Sequence, residues 1–568
     1  MPPLDPRHVR RIAAGALLLI GPHAAAAQPG TPGDLWLMRA RADSLFAARQ
    51  LAPAESLYRA LARHDSTDFL LLQRLATAQL TLGKHREARA LLARTFRDGP
   101  NRQEVALALA RTAAQDGDKR AALDWLDSAV AHRFAPRAQL QSDSSFVTLR
   151  DDERFRRIAG ALPRRRFTRD EGWRYDLAFF VAEAQRLHTS LDRPAYSAAF
   201  ASAAAELDRR IPTRSDAQVL AGLQRLSVML DDGHTAVYRR TLPKGYRRLP
   251  VDFYRFAEGT YVVGARDDLR ALVGSKVLRI GRLTPDSALA AVAPYVPRDN
   301  AQGLLSVGVP FLLALPFQLE VIGAVDDTAR VTLELEGRDG RRHRVTLSGD
   351  DDRQPAFLLQ PPTPADSALL WLRHVDDSFW MTPLPDVGAV YFQYNAVANM
   401  PSETTTQFAE RLKAALRGPG VKNLIVDVRR NRGGNSFLNP PLHLAMIAFE
   451  QASPDHHIYV LIGRHTFSAA QNFTNYVERW TNAVFVGEPT GSRPNFVGEG
   501  NQVVLPYSGV AANISNRNHQ SAFWDDTRPW VAPHVAVAVT ARDYFAGRDA
   551  GLDAVRDIIR KRGGASRP

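Results

Sequence analysis

At 568 residues the chain exceeds one ordinary domain and calls for two to four, and its 45% hydrophobic and 23% charged residues exclude a disordered, fibrous or low-complexity polypeptide. It has no cysteine, which removes a disulfide scaffold, a thiolate zinc site, an iron–sulfur cluster and a cysteine nucleophile together. The net charge of +13 is carried almost wholly by Arg, scattered rather than gathered into a stripe, so nucleic-acid binding is not expected.

Residues 1–27 read as a secretory signal peptide. Arg7, Arg10 and Arg11 give the positive start, Ile12 to Ile20 the short apolar run, and Ala24 to Ala27 the small residues before a cut near Gln28. The run is about half the roughly 20 residues that a membrane span needs. No membrane span is expected after cleavage, and export without cysteine fits a periplasmic or secreted bacterial protein. Residues 31–165 read as helical. Leu75, Ala76, Gly83, Ala88 and Leu92 recur 34 residues later as Leu109, Ala110, Gly117, Ala122 and Leu126. The period resembles tetratricopeptide repeats, with Ala42 and Ala54 in a weaker first copy where Arg49 replaces the turn glycine. Such repeats offer a surface for a protein partner. A plain helical bundle with a chance period is the alternative.

Residues 161–170 read as an Arg-rich linker, and 170–240 as a helical lead-in. Within 241–375 the stretches 248–268, 276–281 and 329–348 alternate apolar and polar residues as half-buried strands do, with a hairpin turn at Arg338-Asp339-Gly340-Arg341. An exposed loop is expected at 350–366. From 385 to 555 the texture is α/β: strands at 387–394, 421–429, 457–463 and 483–487, and helices at 403–416 and 469–480. That alternation implies a largely parallel sheet covered on both faces, with its site at the carboxyl ends of strands.

Two strand ends carry candidate chemistry. Leu424 to Asp427 runs toward Arg432-Gly433-Gly434, whose paired glycines allow backbone N–H groups to converge on an anion, or simply form a tight turn. Tyr459 to Gly463 runs toward Phe467-Ser468-Ala469-Ala470. Ser468 at a helix start is either an N-cap or a nucleophile whose oxyanion the helix N-terminus stabilises. No Gly-x-Ser-x-Gly surrounds it. A serine nucleophile needs a base. His465 is near in sequence, and His234 lies in Asp231-Asp232-Gly233-His234-Thr235 at a helix exit, where a histidine also serves as a cap. His456-His457 lacks metal-ligand spacing.

Asp232-Gly233-His234-Thr235, the strand and glycine loop at 424–434, Phe467-Ser468-Ala469-Ala470 and Gly487-Glu488-Pro489-Thr490-Gly491 together resemble the C-terminal-processing, or tail-specific, family of serine peptidases over about 170–555. The resemblance implies a ClpP/crotonase-like α/β core and a polypeptide substrate, with no cofactor and no metal. It implies attack by Ser468 and an oxyanion hole from Ala469 N–H and the Gly433-Gly434 loop. Where many members carry a lysine base, Arg493 stands here, and no lysine lies between 422 and 561. Arginine stays protonated and cannot be a base. The tricorn-like branch uses Ser with His, which assigns the base to His234. Its orienting carboxylate is assigned to Glu499, because the family's position falls on Thr527 beside Asp525 and Asp526; Glu488 is read as a strand end. Many relatives carry a peptide-binding module at 241–375, and Val273 to Gly281 resembles a strand pair of it, without its carboxylate-binding loop. Two other readings remain: a catalytically degenerate binding protein whose repeats recruit a partner, and an esterase using the same Ser468 and His234.

Overall fold

The computed structural model describes residues 32–134, 137–238, 247–349, 359 and 369–565. The expected signal at 1–27 lies outside the described residues, as does almost all of the loop at 350–366. The chain divides into two compact units, one ending at His132 and one beginning at Arg133.

The first unit is six helices, α1 (Pro32–Ala47), α2 (Leu51–His64), α3 (Phe69–Thr81), α4 (His85–Asp98), α5 (Arg102–Gln115) and α6 (Lys119–Ala131), paired as antiparallel hairpins. The residues that recur at 34 are the ones the hairpins bury: Leu75, Ala76, Ala88 and Leu92, then Leu109, Ala110, Ala122 and Leu126. Gly83 and Gly117 hold φ of +77° and +79° in the turns, and nothing crowds either, so it is the left-handed backbone that selects glycine. Arg49 adopts φ 60° in the corresponding turn of the first hairpin.

The boundary between units falls near 132, not in the Arg-rich 161–170. Arg137 explains this. Its guanidinium donates to the Ile158 carbonyl and pairs with the buried Glu183 carboxylate, each at 2.6 Å, which ties 137–158 to the next helix. The second unit continues with α7 (Glu153–Ile158), α8 (Arg169–Leu187), α9 (Pro194–Arg210), α10 (Asp216–Val228) and the short strand β1 (Ala236–Tyr238). Thr168 with Glu171, and Ser215 with Gln218, form capping boxes that start α8 and α10, each supplying about 1 kcal/mol.

The middle region folds as a five-stranded antiparallel sheet, β2 (Val251–Phe256), β3 (Gly259–Ala265), β4 (Lys276–Ile280), β5 (Arg330–Glu336) and β6 (Arg342–Ser348), paired in that order. The helices α11 (Pro285–Val292), α12 (Ala301–Gly303) and α13 (Pro316–Val321) lie between β4 and β5 in the chain. Residues 273–281 form one strand entered through a turn at Gly274, rather than the strand pair their sequence suggests.

The remaining elements are β7 (Phe379–Leu384), β8 (Ala389–Tyr394), α14 (Thr405–Leu416), β9 (Asn423–Asp427), α15 (Pro440–Gln451), β10 (His457–Ile462), α16 (Ala469–Trp480), β11 (Val484–Gly487), β12 (Asn495–Val504), β13 (Ala511–Gln520), β14 (Val535–Ala536), α17 (Ala541–Phe545) and α18 (Ala550–Ala565). Six strands form one sheet in the order β14-β11-β10-β9-β8-β7, parallel except at β7–β8. Alternation sends Leu424, Val426, Ile458 and Val460 to the face packed with Phe408 and Phe473, and Ile425, Tyr459 and Leu461 to the face packed with Leu552 and Val555. Both faces are covered, so β9 and β10 read as unbroken apolar runs. Arg429, just past β9, binds Asp427 and reaches Asp549 at 2.9 and 2.7 Å, which anchors the start of α18.

A third sheet, β1-β13-β12, is antiparallel. Ala236 pairs with Asn513 and Tyr238 with Ala511. Trp173, Leu177, Leu220, Leu223, Val503, Ala512 and Ile514 share one core. The lead-in helices are therefore packed on a hairpin nearly 300 residues downstream, and that packing carries the His234 loop to the end of β10. No described helix is long and apolar enough to cross a membrane.

Candidate active site

Ser468 stands between β10 and α16, at φ 58° and ψ −122°. That region strains any residue with a Cβ, by about 1–3 kcal/mol, and persists only where the surroundings enforce it. Here Ser468 N–H donates to Ser492 Oγ at 3.1 Å, its carbonyl accepts from Asn472 N–H at 3.1 Å, and Phe467 N–H is held by the Asn431 carbonyl at 3.1 Å. The Ser468 side chain makes no capping bond to α16. Its Oγ instead lies 2.9 Å from His234 Nε2. The N-cap reading thus gives way to a strained serine held toward a histidine, without the glycines of a Gly-x-Ser-x-Gly elbow.

His234 is positioned through its backbone. Asp232 Oδ1 accepts the N–H groups of His234 and Thr235, both at 2.6 Å, and the Ser515 hydroxyl at 3.0 Å. Asp232 Oδ2 takes the Nε2 proton of the buried His188 at 2.8 Å, because His188 Nδ1 already accepts from Ser190 N–H at 3.2 Å. Burial opposes the Asp232 charge, but His188 and Thr235 hold its carboxyl below the usual carboxylate range. Asn513 Nδ2 donates to the His234 carbonyl at 2.8 Å, and Gly233 N–H donates to Asp299 Oδ1 at 2.7 Å. The imidazole lies between two rings, Phe467 with centroids 4.6 Å apart and Phe496 at 5.3 Å and 7°. Burial pushes its pKa down to about 4, against a smaller upward pull from Asp232. The ring is therefore neutral near pH 7, with a lone pair on Nε2 for the serine proton.

Asp299 is also buried, and its Oδ2 has no hydrogen-bond partner among the described residues. Burial, with the Asp232 charge added, pushes its pKa up to about 7; Gly233 N–H, Ser492 and Arg493 pull the other way. A carboxyl whose folded pKa exceeds the unfolded value costs stability above the unfolded value, and the full cost is reached above the folded one. Asp299→Asn keeps an acceptor for Gly233 N–H without the charge. It is expected to raise the melting temperature relative to wild type more at pH 8 than at pH 5, read by thermal unfolding at both pH values.

Glu499 is not the group on the histidine. It adopts φ 57°, which turns its carboxylate outward, more than half exposed and 3.6 Å from His519 Nε2. The Phe496 ring lies between, stacked on His519 at 4.9 Å and on His234 from its other face. No carboxylate bonds to His234 Nδ1 among the described residues; Asp232 and Glu499 favour its protonated form through space, and the Val497 backbone adds a smaller pull. The charge of Glu499 reaches the ring only through space. Glu499→Gln is accordingly expected to change kcat/KM by less than about threefold, against about 10⁴-fold for a group that fixes the imidazole directly, read by initial rates across pH.

The other sequence candidates lie elsewhere. His465 is buried with Nδ1 on Ser306 Oγ at 2.7 Å. Glu488 binds Arg464 at 3.0 and 2.6 Å, and Asp526 binds Arg528 at 2.7 Å. Arg493, at the lysine position, is spent on Asp231 at 2.8 Å.

Gly433 packs directly on the nucleophile. A Cβ there would fall 2.7 Å from Ser468 Cβ and 2.9 Å from Ala469 N, and φ is +103°. Its N–H, however, donates to Asn431 Oδ1 at 2.9 Å, so Gly433 supplies close approach rather than a free donor. Among the described residues no hydrogen bond uses the N–H of Gly434, which Val397 clamps from both sides, or that of Ala469, the first of α16.

Sequence reasoning missed His188, Asp299, Ser492, Asn513 and Phe496, and gave no separate role to Asp232 or Phe467, which it named only within motifs. Asp232, two residues before His234, carried a local signal, since Asp in that place favours a turn bonded to its own backbone. Asp299, Asn513 and His188 carried none, being brought in by packing alone.

No protein-family profile and no curated protein matches the chain. Among solved structures, mature CPAF complexed with lactacystin aligns with a TM-score of 0.50 at 14% identity, covering 69% of this chain and 98% of its own. The photosystem II D1 C-terminal processing protease aligns at 0.34 and 13%, covering 66% and 94%. The tricorn protease aligns at 0.33 and 14%, covering 69% and 37%. Over the part it covers, this chain has the fold of mature CPAF.

Proposed function

We propose that the chain is a serine peptidase of the C-terminal-processing kind, cutting unfolded or extended polypeptides with Ser468 as nucleophile and His234 as general base. The observation that carries the reading is the 2.9 Å contact between a strained serine Oγ and the Nε2 of a half-buried, neutral histidine. In acylation Ser468 Oγ bonds to the scissile carbonyl carbon as its proton passes to His234 Nε2. The carbonyl oxygen takes the negative charge and is held by the Ala469 and Gly434 N–H groups at the positive end of α16. The same proton then moves to the leaving amine, and the carbon–nitrogen bond breaks. Water, deprotonated by His234, hydrolyses the acyl-enzyme and restores Ser468.

A fluorophosphonate probe with peptide mapping, and cleavage of an unfolded test protein read by mass spectrometry of the product ends, test the proposal. Labelling at Ser468, lost in His234→Ala, supports it; cleavage that survives His234→Ala unchanged moves the base elsewhere. Because the active histidine is neutral and its pKa is depressed, the acid limb of kcat/KM is expected near pH 4 rather than near pH 6.5. A binding scaffold is the second reading, favoured by the lack of a carboxylate on Nδ1. It predicts no labelling at all. The helical hairpins of the first unit, as tetratricopeptide-like repeats, are the proposed partner surface, and residues 1–27 the proposed route to the periplasm or medium.

A further inference from the structure

Three large aromatic side chains stand in solvent on two loops whose serines bond to the first turns of α16, the helix that follows Ser468. Phe437 is 85% exposed, Phe523 61% and Trp524 81%. Isolated apolar residues on a surface need no explanation, but three aromatics on two loops tied to one buried amide do. That amide is Asn472. Asn472 Nδ2 donates to Ser436 Oγ at 2.9 Å, next to Phe437, and Asn472 Oδ1 accepts from the Ser521 hydroxyl at 2.7 Å, just before Phe523 and Trp524. Asn475 Nδ2 donates to the same Ser521 Oγ at 2.7 Å. Asn472 itself is one turn of α16 beyond Ser468, its N–H on the Ser468 carbonyl. The two aromatic loops are thus braced against the first turn of the helix that carries the nucleophile. The glycine loop that packs on Ser468 leads within three residues to Phe437. Arg479 lies over the Phe523 ring at 4.5 Å and over the Trp480 ring at 5.2 Å.

We infer that Phe437, Phe523 and Trp524 form a binding site for large apolar side chains of the polypeptide being cut, flanking the bond at Ser468. The inference rests on the peptidase reading for its occupant. A folded protein hides such side chains, whereas an unfolded or extended one presents them. An extended chain advances about 3.3 Å per residue, so side chains two to four positions from the cut bond reach beyond one helical turn, about 5.4 Å, from Ser468. The site therefore sets both the preference for unfolded chains and the residues favoured near the cut.

The test is a binding measurement in the Ser468→Ala protein, so it needs no turnover. Two fluorescein-labelled unstructured peptides are compared by anisotropy: one carries Phe and Leu at its centre, and in the other these are replaced by Ser. The apolar peptide is expected to bind about tenfold more tightly, and Phe437→Ser with Trp524→Ser to remove that advantage, the scale of losing an anchoring aromatic. Phe437→Leu should retain most of it. Asn472→Ala, which frees both loops, should weaken the apolar peptide while leaving the Ser peptide unchanged. Equal binding of the two peptides, or an advantage that survives the double substitution, overturns the inference. So does a dimer in sedimentation that the double substitution dissociates while peptide binding is unchanged, which would assign the aromatics to a second copy. Failure of the peptidase reading shows separately, as absence of cleavage by wild type.

Discussion

Ser468→Ala is expected to remove peptide-bond cleavage by a factor of about 10⁴ or more while leaving the fold intact. The side-chain oxygen makes one bond, to His234 Nε2, and caps nothing, so its loss leaves no backbone group unpaired. Alanine keeps the Cβ and hence the strained φ of 58°. Ser468→Gly has no Cβ to strain and is expected to unfold at higher temperature than Ser468→Ala, by an amount equivalent to about 1 kcal/mol. Thermal unfolding of the two variants beside their initial rates checks both statements. Equal melting temperatures would mean that the loop, not the residue, carries the strain.

Asp232→Ala is expected to lower stability by about 3–5 kcal/mol and to abolish activity with it. The carboxylate is buried and receives the His234 and Thr235 amides, the Ser515 hydroxyl and the His188 ring. Removing it orphans all four inside the protein and frees the His234 loop. The folded pKa of Asp232 lies below its unfolded value. Its contribution is therefore present above the unfolded value, near pH 4, and fades as the pH falls through the folded one. The gap between wild type and variant in urea unfolding should thus be full at pH 7 and narrow below about pH 4. A gap that does not narrow would locate the stabilisation outside the ionised carboxylate. Asp232→Asn should recover part of the loss, since it can still accept the two backbone amides.

The central α/β layer was legible because its signals are local. β9 and β10 are unbroken apolar runs, and Ala469–Trp480 begins and ends where the sequence suggests. Ser468 and His234 were legible through short motifs with the right order. The sheet that joins them was not. β12 and β13 together carry five Asn and two Gln, and only residues such as Val503, Ala512 and Ile514 face the lead-in helices. A strand with one wet face and scattered small polar residues carries little periodic signal. The expected carboxylate failed for a related reason. The left-handed φ at Glu499 reverses which way its side chain points, and no neighbouring residue announces that in the sequence. Gly433 was expected as an oxyanion donor and lies against the nucleophile, but the claim of Asn431 on its amide is a two-residue turn that only coordinates reveal.

The pairing of β1 with β13 has a consequence for how the protein is born. His234 leads into β1, and β1 is held by residues 511–513. The nucleophile, the glycine loop and five of the six strands of the central sheet are all synthesised before that partner strand leaves the ribosome. A nascent chain ending at residue 505 carries Ser468 and His234 but lacks the strand that fixes one against the other. Contacts of such long sequence separation form late in folding. On the peptidase reading, the Ser468–His234 pair is therefore completed only once nearly the whole polypeptide has been made, which shields the growing chain from its own nucleophile.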